Sequence, residues 1–210
     1  METLKRSLLR PGHRPIARFF VPAIFALAVA LASPLPSPAE TPPNATPERP
    51  TDFSVIANYL AVFLRYVAWP PAPEPRPAAA PVRVGVLGPN PFGKTLDRLV
   101  AGKLLHNRPL AALYTTRTDQ LADCEVAFIN LEGRTEREHA LRSLAGKPVL
   151  TVVYLGDDTN APATSAAIEL VRIGNNIRYR LNPAVLGHQG LQPTPGLLEN
   201  ALPRAGGTSP

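Results

Sequence analysis

Thr135-Glu136-Arg137-Glu138-His139-Ala140-Leu141-Arg142-Ser143-Leu144-Ala145-Gly146-Lys147-Pro148-Val149-Leu150-Thr151-Val152-Val153-Tyr154 decides the fold. Its first half predicts a helix. Thr135 and Glu138 have the spacing of a capping box, in which hydroxyl and carboxylate each satisfy an orphan backbone N–H. Gly146 and Pro148 stop that helix near Ala145. Val149–Tyr154 then runs with almost no polar residue, as a strand covered on both faces does. A helix leading directly into a doubly covered strand is the repeating step of an α/β domain.

The same alternation extends outward from this stretch. Upstream, Val82–Leu87 is a short β-branched run and predicts a strand, and Thr95–Val100 predicts a helix closed by Gly102. Leu110–Thr115 and Glu125–Asn130 predict two more strands. Downstream, Ile168–Ile173 and Ile177–Leu181 flank Gly174-Asn175-Asn176, a hairpin signal. Asn182-Pro183 then joins a good N-cap to proline at the first helical position. The expected fold is α/β: a single compact domain with a mostly parallel central sheet flanked by helices and a late antiparallel hairpin. Cys124 is the only cysteine, so an intramolecular disulfide is excluded, and its place at the head of an apolar run predicts a buried hydrophobe.

Ahead of the sheet, residues from Phe53 to Trp69 predict the strongest helix, with Asp52 as N-cap. Phe53, Ile56, Leu60, Phe63, Leu64 and Val67 recur at spacings of three and four. Val55, Tyr59, Val62, Tyr66 and Trp69 make a second stripe. At ~100° per residue the two stripes span about 220°, wider than one buried face requires. The helix is either buried on two sides or meets another chain through its aromatic stripe. Tyr59, Tyr66 and Trp69 are the candidate residues for a partner or dimer contact, because aromatics combine large area with few rotors. Their alternative role is core.

The chain has a pI of about 9.9, which first suggests nucleic acid. The charge distribution excludes that partner class. Lys5, Arg6, Arg10, Arg14 and Arg18 precede the first apolar run, opposed only by Glu2, and beyond residue 32 there are 17 Lys and Arg against 15 Asp and Glu. The basic leader, the 14 apolar residues Phe19 to Ala32, and Ala30-Leu31-Ala32 together read as a secretory signal cleaved after Ala32. An apolar run of that length is short for a bilayer span, which needs ~20 residues; an uncleaved anchor is the alternative. Residues 34–50 hold seven of the 26 prolines and read as an extended linker. Pro70 to Pro81 reads as a surface loop. The expected organisation is a signal peptide at 1–32, a linker at 33–51, the α/β domain at 52–203 and a disordered tail at 204–210. The expected location is the periplasm.

One motif invites an enzymatic assignment. Gly88-Pro89-Asn90-Pro91-Phe92-Gly93-Lys94-Thr95 satisfies the P-loop pattern between a strand and a helix. A P-loop wraps phosphate with a row of backbone N–H groups, and Pro89 and Pro91 have none. The physical expectation is that Lys94 binds no nucleotide and that Phe92 and Leu96 anchor the turn to the core. His106, His139 and His188 lie far apart without metal-ligand spacing, and no serine-nucleophile elbow occurs. Asp157-Asp158 reads as a solvated loop pair. No catalytic, metal-binding or cofactor-binding residues are therefore assigned.

Asn58 to Pro70 resembles the opening helix of the YfiR-like periplasmic family. So do Val84-Gly85-Val86-Leu87-Gly88 followed by Pro91-Phe92-Gly93, Asp123 to Ile129, and Pro148 to Val152. Ile177 to Asn182 and Leu197-Leu198 resemble its last strand and final helix, so the likeness covers about residues 53 to 202. It implies a non-catalytic regulator, without cofactor, that contacts a transmembrane signalling protein. The implied partner is the periplasmic part of an inner-membrane diguanylate cyclase, or a sensor kinase, with consequences for cyclic di-GMP and biofilm. It also implies a homodimer. The Pro-Phe-Gly turn belongs to the family pattern, and Lys94-Thr95 completes a P-loop match by coincidence. Two other classes stay open: a periplasmic small-ligand-binding protein and a P-loop enzyme.

Overall fold

The computed structural model describes residues 51–71, 77, 80–159 and 163–203. The expected signal peptide with its Ala32 cleavage site, the linker up to residue 50, most of the second proline-rich loop and the tail at 204–210 lie outside the described residues.

The chain opens with helix α1 (Asp52–Tyr66). Its N-cap is Thr51, whose hydroxyl accepts the Ser54 N–H, and not Asp52 as the sequence suggested. Asp52 is instead the first helical residue, where a carboxylate favours the positive end of the helix dipole. The helix also ends three residues earlier than expected. Val67-Ala68 forms strand β1, and the Tyr66 carbonyl accepts the Thr194 N–H at 2.9 Å. Pro70 disfavours helix at Trp69, so the chain leaves α1 where sheet partners are waiting.

Strand β2 (Val82–Leu87), helix α2 (Thr95–Val100), strand β3 (Leu104–Leu105) and strand β4 (Arg108–Thr115) follow. A 3-10 turn at Thr118–Asp123 leads into β5 (Val126–Ile129). Next come α3 (Arg134–Ser143), β6 (Leu150–Tyr154), β7 (Ile168–Ile173) and β8 (Asn176–Leu181). Helix α4 (Pro183–His188), strand β9 (Gln192–Pro193) and helix α5 (Pro195–Glu199) complete the domain. Seven strands form one sheet in the order β3-β4-β2-β5-β6-β7-β8. The inner five are parallel; β8 runs antiparallel to β7 and β3 antiparallel to β4. Separately, β1 pairs with β9, tying the end of α1 to the C-terminal part of the chain.

The continuous apolar strands divide their side chains between two cores with the period of two that pleating imposes. Val126, Phe128 and Val152 pack with α1, α2, α4 and α5 on one face. Ala127, Ile129 and Val153 pack with α3 and the 3-10 turn on the other. Cys124 is buried in this second core. A Cβ at Gly85 would stand 2.3 Å from the Leu121 side chain and 2.9 Å from the Cys124 sulfur, so the turn can lie on β2 only over glycine.

The capping box expected at Thr135 and Glu138 does not form. Glu138 accepts the Ser165 N–H instead, and the N-cap of α3 is Gly133. Glu136 folds back over Gly133, closely enough that a Cβ there would be 1.7 Å from its carboxylate oxygen. The acidic residue three positions past the N-cap is present, but two residues upstream of the predicted pair.

Candidate contact surface

The parallel strands run in the order β4-β2-β5-β6-β7, so the chain reverses its winding direction between β2 and β5. In open α/β sheets that crevice, at the carboxyl ends of the strands, is the usual ligand site. Here Gly88–Thr95 fills it. Gly88 has a φ of +95°, and a Cβ on it would stand 2.2 Å from the Asn130 carbonyl oxygen. The Asn130 amide donates to the Pro89 carbonyl at 2.7 Å, closing β2 onto β5. Asn90 accepts the Phe92 N–H at 2.9 Å and donates to the Gly93 carbonyl at 3.1 Å. The N–H groups of Gly88 and Thr95 go to the Thr115 and Phe92 carbonyls. Three of the loop's N–H groups, those of Gly88, Phe92 and Thr95, are thus bonded within the protein, and Pro89 and Pro91 have none to offer. Phe92 and Leu96 are buried, and Phe92 meets Phe128 edge to face.

The wide apolar circumference of α1 resolves into two halves. Ile56, Ala57, Leu60, Phe63 and Leu64 are buried against the sheet. Within the second stripe, Tyr59 is half-buried. It stacks on Phe63, meets Tyr179 edge-on and donates its hydroxyl to the Ile177 carbonyl at 3.0 Å. Tyr179 in turn donates to the Leu197 carbonyl at 2.8 Å, and its phenol is raised above the ordinary tyrosine range by burial, then by Tyr59. Trp69 is half-buried, and its indole N–H donates to the Glu125 carbonyl at 3.2 Å. Tyr66 differs: it is 47% exposed, beside Val62 at 41%.

Val62 and Tyr66 form a ridge between two grooves. The first, about 320 Å³, lies toward α2 and the β3–β4 hairpin and is also lined by Arg65, Leu99, Lys103, Leu104 and Leu105. The second, about 510 Å³, lies toward β8 and α5 and includes Tyr59, Arg178 and Leu197. Among the described residues, three of the five exposed large apolar side chains, Val62, Tyr66 and Leu104, line the first groove. Lone exposed hydrophobes are ordinary, but a cluster marks a site of association.

Trp69 borders a third recess, at the amino ends of the strands, with Arg108, His106, Cys124 and Glu125. Arg108 donates to the Ala80 and Pro81 carbonyls at 2.8 and 3.0 Å and to Glu125 at 3.1 Å. The other Glu125 oxygen accepts the Arg83 N–H at 2.7 Å. These bonds pin together the starts of β2, β4 and β5. Among the described residues no cluster of His, Cys, Asp or Glu could hold a metal. Asp157, expected to be only solvated, takes a bidentate pair from Arg172 at 2.6 and 2.8 Å. Arg172 also approaches Asp52 at 3.5 Å, and the Tyr154 hydroxyl donates to Asp52 at 2.6 Å, anchoring the start of α1.

Leu104 and Lys103 were not visible as site residues in the sequence. Their signal was the hairpin turn His106-Asn107, where both residues have positive φ, of 49° and 63°. Asparagine is one of the few residues that tolerates this conformation; histidine does so less often, and no glycine marked the turn.

The domain thus combines a switch-point crevice crossed by its own hydrogen-bonded loop with an exposed apolar ridge on α1. The sequence of residues 53–202 matches the YfiR/HmsC-like family, and the chain belongs to that family. No curated protein matches the chain.

Proposed function

We propose that the domain is a non-catalytic periplasmic regulator that acts by contact on a transmembrane signalling protein, with an inner-membrane diguanylate cyclase as the expected partner. The observation that carries this reading is the Val62–Tyr66 ridge, exposed between two open grooves on the α/β domain. Family membership supports the partner class and hence a role in cyclic di-GMP and biofilm signalling. Of the aromatic residues assigned to contact, Tyr66 is the most available, while Tyr59 and Trp69 carry hydrogen bonds inside the domain and would support the surface from behind. The regulator is proposed to be a homodimer, exported by a signal cleaved after Ala32, with residues 52–203 as the working domain.

Crosslinking in cells from a photoreactive residue at position 66, followed by mass spectrometry, tests the reading. Recovery of the periplasmic part of an inner-membrane cyclase or sensor kinase supports it. Recovery of free monomer alone, with unchanged cyclic di-GMP on deletion, contradicts it. A second reading, a periplasmic small-ligand carrier, draws on the recess of about 470 Å³ bordered by Trp69 and Arg108. A bound small molecule in native mass spectra would favour that class.

A further inference from the structure

Building on the contact reading, we propose that the partner segment docked along the α1–β3 groove is an apolar stretch flanked by carboxylates. Two observations define this chemistry. The groove is apolar, with Val62, Leu64, Leu99, Leu105 and Leu110 in its lining, and Leu104 stands at its edge 63% exposed. Its charged members are both cations: Arg65 from α1 and Lys103 from the segment leading into β3. Across the ridge, the second groove adds Arg178. Among the described residues, no carboxylate lines either groove. An apolar centre with a rim of one charge sign is matched by an apolar centre with the opposite rim, which steers the encounter and fixes the register.

The same pattern disfavours other occupants. A second copy seated face to face would bring together two rims whose charged residues are all cations, because a two-fold contact uses the same patch on both sides. A lipid surface would gain only ~1 kcal/mol from each cation. A flat bilayer also cannot enter a groove walled by α1 on one side and the β3–β4 hairpin on the other. A protein segment can fill it, as an amphipathic helix fills a hydrophobic groove.

The test uses the full chain in cells, with a photoreactive residue at position 104 and, in parallel, at position 173 on the tip of the β7–β8 hairpin. The crosslinked peptide is identified by mass spectrometry. The expected product from position 104 is a segment of a membrane protein with large apolar residues bordered by Asp or Glu. Adding Arg65→Glu with Lys103→Glu should cut the yield about tenfold, whereas Arg65→Lys should keep it. Both cations are exposed, so melting temperatures of these variants should match the wild type. A crosslink from position 104 to lipid, to another copy of this chain, or to a segment without acidic residues overturns the proposal. So does an unchanged yield in the charge-reversed variant. Capture of a membrane protein from position 173 but not from 104 refutes this groove and leaves contact regulation standing; capture from neither refutes this groove, and contact regulation is then decided by the crosslink at position 66.

Discussion

The loop Gly88–Thr95 and the ridge Val62–Tyr66 are opposites. The loop carries a sequence pattern associated with chemistry, sits where α/β proteins bind ligands, and is held by its own hydrogen bonds, Asn90 to Phe92 and Gly93, Asn130 to Pro89, and Gly88 to Thr115. The ridge carries no motif, yet its apolar area is left uncovered. A motif names residue types at a spacing; what the residues can do depends on which groups remain unpaired after folding. Proline at two loop positions removes donors, Asn90 takes the Phe92 N–H, and Asn130 ties the Pro89 carbonyl to β5. The same accounting of unused surface, applied to α1, points to the ridge.

The largest effect expected from breaking this contrast is on stability. Phe63→Ala, one turn from the ridge but fully buried, should cost about 3–5 kcal/mol in denaturant unfolding, while Tyr66→Ala should stay within ~0.5 kcal/mol of wild type. Equal losses would make the ridge part of the core. Gly88→Ala should destabilise by roughly 1–3 kcal/mol, since it adds a Cβ against the Asn130 carbonyl at a positive φ. A neutral result would mean the crevice is not closed as described. Tyr59→Phe should cost about 1 kcal/mol through the lost bond to Ile177. Tyr66→Phe should cost nothing measurable.

Two predictions expect small or null signals. Calorimetry of wild type and Lys94→Ala with ATP or GTP and magnesium should show no binding heat from either; micromolar binding lost in the variant would restore the P-loop enzyme. At the Arg172 pair, the guanidinium hydrogen bond holds the Asp157 carboxyl below the ordinary aspartate range, and Tyr154 is raised by burial and then by its bond to Asp52. A carboxyl lowered by folding stabilises the native state above its unfolded value, near 4. That contribution is lost as pH falls through the lower folded value. Carbon-detected titration of Asp157 should show the depressed value and its return to the ordinary range in Arg172→Ala.

The elements easiest to read in the sequence were those with sharp punctuation. Thr95–Val100 and Ile168–Ile173 have the bounds their turn residues predicted, because glycine and asparagine stop them locally. The end of α1 was not legible, since the strand that draws Val67 out of the helix is Gln192–Pro193, far along the chain. The N-cap at Gly133 was hidden because two Glu residues offered similar spacings, and only the position of Ser165 shows why Glu138 is engaged elsewhere. The aromatic stripe was visible from its period. Its division was not, because β8 and α5 arrive from the end of the chain to cover Tyr59 and leave Tyr66 open.

The most direct test of the central claim is cyclic di-GMP measured in a deletion strain complemented with wild type or with Val62→Asp plus Tyr66→Ala. The double variant should melt like the wild type, because both side chains are exposed, and should leave cyclic di-GMP at the level of the deletion. A folded, exported double variant that restores the wild-type level would show that the protein does not act through this ridge.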